Sequence, residues 1–312
     1  MLSCCDKHSS KILIFALIIA MLPVCALQPC FAQHPGLTFL RIQGDAHGAA
    51  LGGAFTASGT GLSAVEWNPA GAVLGSGHEV ALGHIRGFED TDSEYFAFLW
   101  KRSEKRILAL SLFSNNIEGI EFRTRPTEKP EGIISAHDFY TGLTYSMRYG
   151  PHMQFGSTFR YLYQKIYSSS ASGFSADFGA RFAPEDSRYA FAIVLKNIGS
   201  MRALRYESPT MPALLRVGAS YCRLIDSGSS HLFEISGEYE SLFEGDDHMY
   251  FGIDYGYNRT YHFRSGYITG FEEGRMSTGA GLSINRYTFD YAYLPDITAF
   301  GNQHIMTFRL HF

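Results

Sequence analysis

Residues 304–312 read "HIMTFRLHF", and taken by twos they split into two faces. His304, Met306, Phe308, Leu310 and Phe312 fall on one side, and Ile305, Thr307, Arg309 and His311 on the other. Such strict alternation is the pattern of a strand with one face held out of water. A long apolar strand left as a free edge would template aggregation. This one is therefore expected to be paired on both sides, as the last strand of a soluble β-sandwich or as the closing strand of a membrane barrel.

The same period recurs through most of the chain upstream. After about residue 78 come "HEVALGHIRGF", "SEYFAFLWKR", "RILALSLFSN", "DFYTGLTYSMRYG", "MQFGSTFRYLYQKIY", "GFSADFGARF", "YAFAIVLKNIG", "LLRVGASYCRL", "HLFEISGEYE", "MYFGIDYGY", "TYHFRSGYI", "RMSTGAGLSIN" and "RYTFDYAYL". With the terminal stretch they make about 14 strands, most of roughly 9–13 residues. Soluble strands usually run to about five or six residues, whereas a tilted membrane-crossing strand needs roughly 9–11. One face of each strand is rich in Phe, Tyr, Leu, Val and Ile. The other carries Gly, Ser, Thr, Ala, Asp and Arg, so Arg216 and Asp290 are expected to line a lumen. Tyr149, Tyr257 and Tyr293 stand at strand ends, where a ring reaches hydrocarbon and its hydroxyl reaches head groups. Short turns such as "YGPH" and "NR" alternate with longer links at 123–136 and 201–212. No apolar run near 20 residues follows the first 32, which excludes a helical membrane protein. In lipid every backbone group must be paired internally, so a spanning β protein must close on itself. The expected fold is an all-β, antiparallel transmembrane barrel.

Residues 1–32 have a different character. Lys7 and Lys11 precede the apolar run "ILIFALIIAMLPVCAL", and "QPCFAQ" offers Ala32 as the last residue before cleavage. This is the pattern of a secretory signal peptide. Pro23 and Gln28 leave too short a run for an anchor, and neither Cys25 nor Cys30 follows the small residue expected of a lipoprotein. Residues 33–312 keep only Cys222, so no disulfide framework is available. With a net charge of −4, nothing electrostatic points to nucleic acid as a partner.

Residues 33–77 do not alternate. Small residues dominate, and Gly44, Gly48, Gly52 and Gly53 permit close backbone approach. In "WNPAG", Asn68 can cap the turn that Pro69 begins, with Ala70 and Gly71 behind it and Trp67 in front. A lumen bounded by 14 strands is wide enough to need filling. The expected division is a leader over 1–32, a hatch over 33–77 and a barrel over 78–312, with the turn at Asn68 set against the lumen wall.

The stretch "FLRIQGDAHGAALGGAFTASGTGLSAVEWNPAG" resembles the opening of the PorV/PorQ family of outer-membrane barrels, through Phe39–Leu40, Ala49–Ala54, Trp67 and Asn68–Ala70. "VLKNIG" at 194–199 resembles a second feature of that family. The likeness is densest over 37–73 and thin after about 225; Asp45-Ala46-His47 departs from it, since the family more often has an Arg there. Asn-Pro-Ala also occurs in the hatch of the long-chain fatty acid transporters, whose barrels have 14 strands. The resemblance implies an outer-membrane protein that serves secretion or surface attachment, in the manner of type IX components, with secreted cargo or other secretion components as partners. The alternative it leaves open is a channel for hydrophobic small molecules. Phe308, Leu310 and Phe312 are similar to the terminal signal that such barrels show to their assembly machinery, which would make that machinery and outer-membrane lipid partners too.

Chemistry is not indicated. The nearest histidine groupings, Asp45 with His47 and His78 with His84, lack a second ligand pair at metal spacing. "GTGLSA" lacks the third glycine of a dinucleotide loop, and Ser63 and Ser111 lack a nucleophile elbow. No catalytic residue, metal or cofactor is expected.

Overall fold

A computed structural model of the chain describes residues 36–87, 91–126, 129–184, 188–204, 208–226, 229–270, 274–295 and 301–312. The proposed leader, 1–32, and the start of the hatch lie outside the described residues. Fourteen antiparallel strands close into one barrel. They are β1 (Glu79–Arg86), β2 (Asp92–Ser103), β3 (Arg106–Phe122), β4 (Gly132–Tyr149), β5 (Met153–Ile166), β6 (Ser169–Phe182) and β7 (Tyr189–Met201). The circle continues with β8 (Leu214–Asp226), β9 (Ser230–Leu242), β10 (His248–Tyr257), β11 (Tyr261–Thr269), β12 (Arg275–Ile284), β13 (Tyr287–Leu294) and β14 (Gln303–His311).

Each strand pairs with its neighbours in sequence, and β14 completes the circle by pairing with β1, Leu310 opposite Val80 and Phe308 opposite Leu82. Beyond the last ladder pair, Phe312 and His78 exchange both backbone hydrogen bonds, at 2.9 and 3.0 Å. The aggregation hazard of the terminal strand is thereby removed, because closure leaves no edge.

Alternation decides which side chains face in. On β6, Ala171, Gly173, Ser175, Asp177 and Gly179 are buried, while Phe174, Phe178 and Phe182 point out. Outward rings and aliphatic chains recur round the circle, among them Leu82, Leu143, Phe159, Ile193, Ile253, Phe263 and Phe308, all at least 40% exposed. A contiguous apolar belt of this extent marks a surface that meets lipid or another protein.

Two features depart from regularity. β3 and β4 run to 17 and 18 residues, longer than the sequence reading expected, because beyond Asn116 and Ala136 they pair only with each other. A bulge at Glu118 and Gly119 lies in that extension, with Gly119 at φ 75°. On β7 the register shifts at Asn197, whose φ is 58°. The Asn197 N–H donates to Asp177 Oδ1 at 2.8 Å and its Nδ2 to the Pro212 carbonyl at 3.1 Å. These bonds hold a left-handed residue that would otherwise cost of the order of 1 kcal/mol or more. Past Lys196, β7 no longer pairs with β8.

At the end bearing His78 and Phe312, here the terminus end, the described turns at 104–105, 258–260 and 285–286 are tight. Asn258 and Arg259 both have positive φ, as does Asn285, the backbone that a hairpin of matching twist requires. The opposite, loop end carries the longer links.

Candidate functional site

Residues 36–77 thread the interior of this barrel, from Gly36 beside Pro209 at the loop end to Ser76 at the terminus end. The segment holds 3₁₀ turns at Thr38–Arg41, Gly61–Ala64 and Pro69–Leu74 and one short helix, α1 (Ala46–Ala50). Asp45 caps α1, its Oδ2 accepting from the Gly48 N–H at 3.0 Å. Asn68 caps the Pro69 turn by accepting from the Ala70 N–H at 3.0 Å, while its Nδ2 donates to the Thr56 carbonyl at 3.0 Å.

Glycines on the wall make the room for this backbone. A Cβ at Gly156 on β5 would overlap the Pro69–Ala70 peptide, and one at Gly179 on β6 would overlap Asn68 Oδ1. At Gly266 on β11 it would fall on the backbone of Leu51 and Gly52, and at Gly279 on β12 against the Ala50 methyl. Gly52 and Gly53 themselves have φ of 70° and 100°, a turn that other residues adopt only under strain.

Charge occupies the β8–β14 side. Arg264 pairs with Asp254 at 3.0 Å and Asp290 at 2.6 Å, and Arg309 also binds Asp290. Asp45 meets this group 3.7 Å from Arg309 and accepts from Ser63 Oγ at 3.0 Å. A second group centres on Arg216, which binds Glu240 at 2.5 Å, donates to the Gly53 carbonyl at 3.3 Å, and lies over the rings of Tyr250 and Trp67. Glu240 also accepts from Tyr250 at 2.9 Å and meets Arg41 at 3.3 Å; Glu238 takes both the backbone and hydroxyl hydrogens of Thr56. A third group, toward β4–β7, joins Arg160 to Asp177 at 2.5 Å and to Glu66 at 3.5 Å, with Tyr140 donating to Glu66 at 2.7 Å. The strong pairs run between wall residues, and the inner segment attaches through its carbonyls, its amides, the Thr56 hydroxyl, Arg41 and a few acidic side chains.

The main apolar core lies on the β1–β6 side, beside the Arg160 group and a buried polar chain in which Ser93 donates to Asn115 at 2.7 Å and Asn115 and Gln164 donate to Asp138 at 3.1 and 2.8 Å. Ile85, Leu99, Ile107, Phe113 and Leu162 face inward and are fully buried with Phe39, Leu62, Val65 and Val73 of the inner segment. At roughly 1.5–3 kcal/mol for each large side chain removed from water, this contact outweighs the polar attachments. Toward the loop end the same cluster takes in Leu37, Ala171 and Met201, with Leu204 and Met211 packed on it.

Cavities lie toward both ends of the lumen. One, of about 70 Å³, lies at the loop end among Arg41, Gln43, Lys196, Asn197, Arg216 and Tyr250. The other, of about 420 Å³, lies at the terminus end among His47, Glu79, Glu234, Asp254, His262 and Arg309. Trp67 borders the first and Phe55 the second, and their rings meet edge-on at 6.1 Å.

The residues singled out by sequence thus fall in two places. Gly52, Gly53, Trp67, Asn68, Pro69, Ala70 and Gly71 are buried inside the barrel. Phe308, Leu310 and Phe312 lie on the outer face of the closing seam, Phe308 and Phe312 exposed. Arg216 and Asp290 point into the lumen as alternation requires, but Arg160, Asp177, Glu238, Glu240, Asp254 and Arg264 were missed. The signal was present: each sits on the small-residue face of its strand. Among the described residues, no group of three or more His, Cys, Asp or Glu is placed to hold a metal ion.

No protein-family model matches the chain, and no curated protein matches it. Solved structures share its fold. The TodX deltaS2S3 mutant monoaromatic hydrocarbon channel superposes with a TM-score of 0.60 at 11% identity, over 86% of this chain and 98% of that one. The CymD monoaromatic hydrocarbon channel gives 0.60 at 12%, over 86% and 97%. The Pseudomonas putida toluene transporter TodX gives 0.57 at 12%, over 86% and 96%.

Proposed function

We propose that the chain is an outer-membrane barrel that takes up small hydrophobic molecules from its loop end, with residues 36–77 as the plug of its pore. The observation that carries this reading is the apolar compartment beneath the loops, where Leu37 and Phe39 are buried with Phe113, Leu162 and Met201. An aqueous pore has a polar lumen; beside the ion groups of this lumen stands an apolar cluster filled by the chain's own side chains. The outer belt supports the membrane setting, and the fold is that of proteins described as hydrocarbon channels.

The test is binding of a small fluorescent aromatic hydrocarbon to the purified barrel. Leu37→Ala with Phe39→Ala should raise affinity by vacating the compartment, and Leu162→Asp should lower it. Binding indifferent to both changes would sink the reading. Export is tested by sequencing the N-terminus of the membrane-embedded protein, which should begin at Gln33. The secretion-accessory reading rests on the resemblance over 37–73 alone. A null mutant that keeps hydrocarbon uptake and loses secreted cargo would favour it instead.

A further inference from the structure

The terminus end carries an aromatic ring of residues with a basic ring just outside it. Trp100, Tyr149, Tyr189, Tyr257, Tyr261 and Tyr287 are all outward, exposed, and within a few residues of the turns at that end. One or two positions closer to water stand cations: Arg102 after Trp100, Arg188 before Tyr189, Arg259 between Tyr257 and Tyr261, and Arg286 before Tyr287. Arg102 lies 5.6 Å from the centre of the Trp100 ring, and Arg188 donates to the Tyr221 hydroxyl at 3.5 Å.

Six of the cations at this rim have no carboxylate partner among the described residues: Arg102, Lys105, Arg106, Arg223, Arg259 and Arg286, all exposed. The Glu104 carboxylate, the acid nearest to them on the β2–β3 turn, is taken by Lys101 at 2.9 Å. The loop end has the opposite character. Its links at 87–91, 243–247, 270–274 and 295–302 contain Asp and Glu and no Lys or Arg, while those at 123–131 and 202–213 carry both signs, so that end is net acidic. Charges placed only for solubility would balance in sign at each end. At the terminus end the basic residues outnumber the acids Glu104, Glu185, Asp186 and Asp226 by about two to one, and a net basic collar directly outside an aromatic girdle stands at the depth of lipid phosphates, where its apolar stems can lie along the belt.

We propose that this collar seats the phosphate groups of anionic phospholipids in the leaflet at the terminus end. The inference rests on the membrane-spanning reading and adds to it a lipid class and an orientation: the acidic loop end faces away from that leaflet. Attraction of a basic side chain to an anionic surface is worth about fivefold in affinity for each charge at low salt.

The full chain is reconstituted into vesicles of phosphatidylcholine alone and of phosphatidylcholine with phosphatidylglycerol, then extracted gently, and co-purifying lipid is counted by native mass spectrometry. The collar predicts enrichment of phosphatidylglycerol over its share of the bilayer, lost in 1 M salt, where the screening length falls to about 3 Å. The triple variant Arg102→Gln, Lys105→Gln, Arg106→Gln should weaken that retention by about a hundredfold. Lys165→Gln with Arg125→Gln, at the loop end, should leave it unchanged. Equal retention of the two lipids, equal loss in the loop-end variant, or preferential capture of a polyglutamate peptide over phosphatidylglycerol would each overturn the proposal. Failure to insert into either vesicle would overturn the membrane-spanning reading itself.

Discussion

Replacing Gly266 by valine tests the fit between the inner segment and its wall. Gly266 faces inward on β11, opposite Gly252 on β10, and the Leu51–Gly52 turn lies on this glycine pair. A Cβ at 266 would coincide with main-chain atoms of that turn, which no rotamer change can move aside. Overpacking of this kind costs about 1–3 kcal/mol. If the turn lifts, Leu51, which is 1% exposed, loses a further 2–3 kcal/mol or so of burial. A shift of about 4 kcal/mol lowers the docked-to-undocked ratio by about a thousandfold. The strand tolerates the change, since valine suits a pleated ladder. The assay is acrylamide quenching of Trp67 in a Trp100→Phe background, because the chain has only these two tryptophans. In the parent Trp67 is 3% exposed and should resist the quencher. In Gly266→Val quenching should rise well above the parent's, while the heat-modifiable gel shift of a closed barrel persists. Gly237→Val, whose Cβ would meet nothing nearer than 3.9 Å, should change neither. Unaltered quenching in Gly266→Val would refute the reasoning.

Other expectations follow from the ion groups and the seam. Arg216→Met leaves Glu238 buried without a cation and Glu240 with Arg41 alone, and should cost about 3–5 kcal/mol, read as an earlier urea midpoint; an unmoved midpoint would show that water reaches these carboxylates. Phe312→Ala removes an outward ring just past β14 that lies 5.8 Å from His78 across the closing seam, and should reduce assembled barrel in the membrane far more than Glu131→Ala in a loop-end link. Equal levels of the two variants would contradict a role for the terminal face in insertion.

The barrel was legible because alternation survives in nearly every strand. In "HIMTFRLHF" the outward set Met306, Phe308 and Leu310 and the inward set Ile305, Thr307 and Arg309 are those the pattern assigns. Strand length was less legible. The extension of β3 and β4 past Asn116 depends on their pairing with each other alone, and the bulge at Glu118–Gly119 breaks the period there. The inner segment announced itself through glycine and the missing alternation. Its partners did not, because a charge on an inward face says nothing about which of its neighbours it meets. Glu240 is reached by Arg41 from 199 positions away, and Thr307 by the Ala46 amide from 261. The aromatic-basic rim was half visible, in Tyr149 and Tyr257 at strand ends. The other half needed the register that puts them at one end, and it places Tyr293 at the other.

The central claim is that residues 36–77 close the lumen of a barrel that stands without them. It is tested most directly by single-channel conductance in planar bilayers, comparing the full chain with one lacking residues 36–72. The strong ion pairs run wall to wall and every strand keeps its ladder partners, so the shortened chain should still insert. The account predicts a silent full-length barrel and large, stable current steps from the shortened one. Steps of equal size from both, or silence from an inserted shortened barrel, would contradict it.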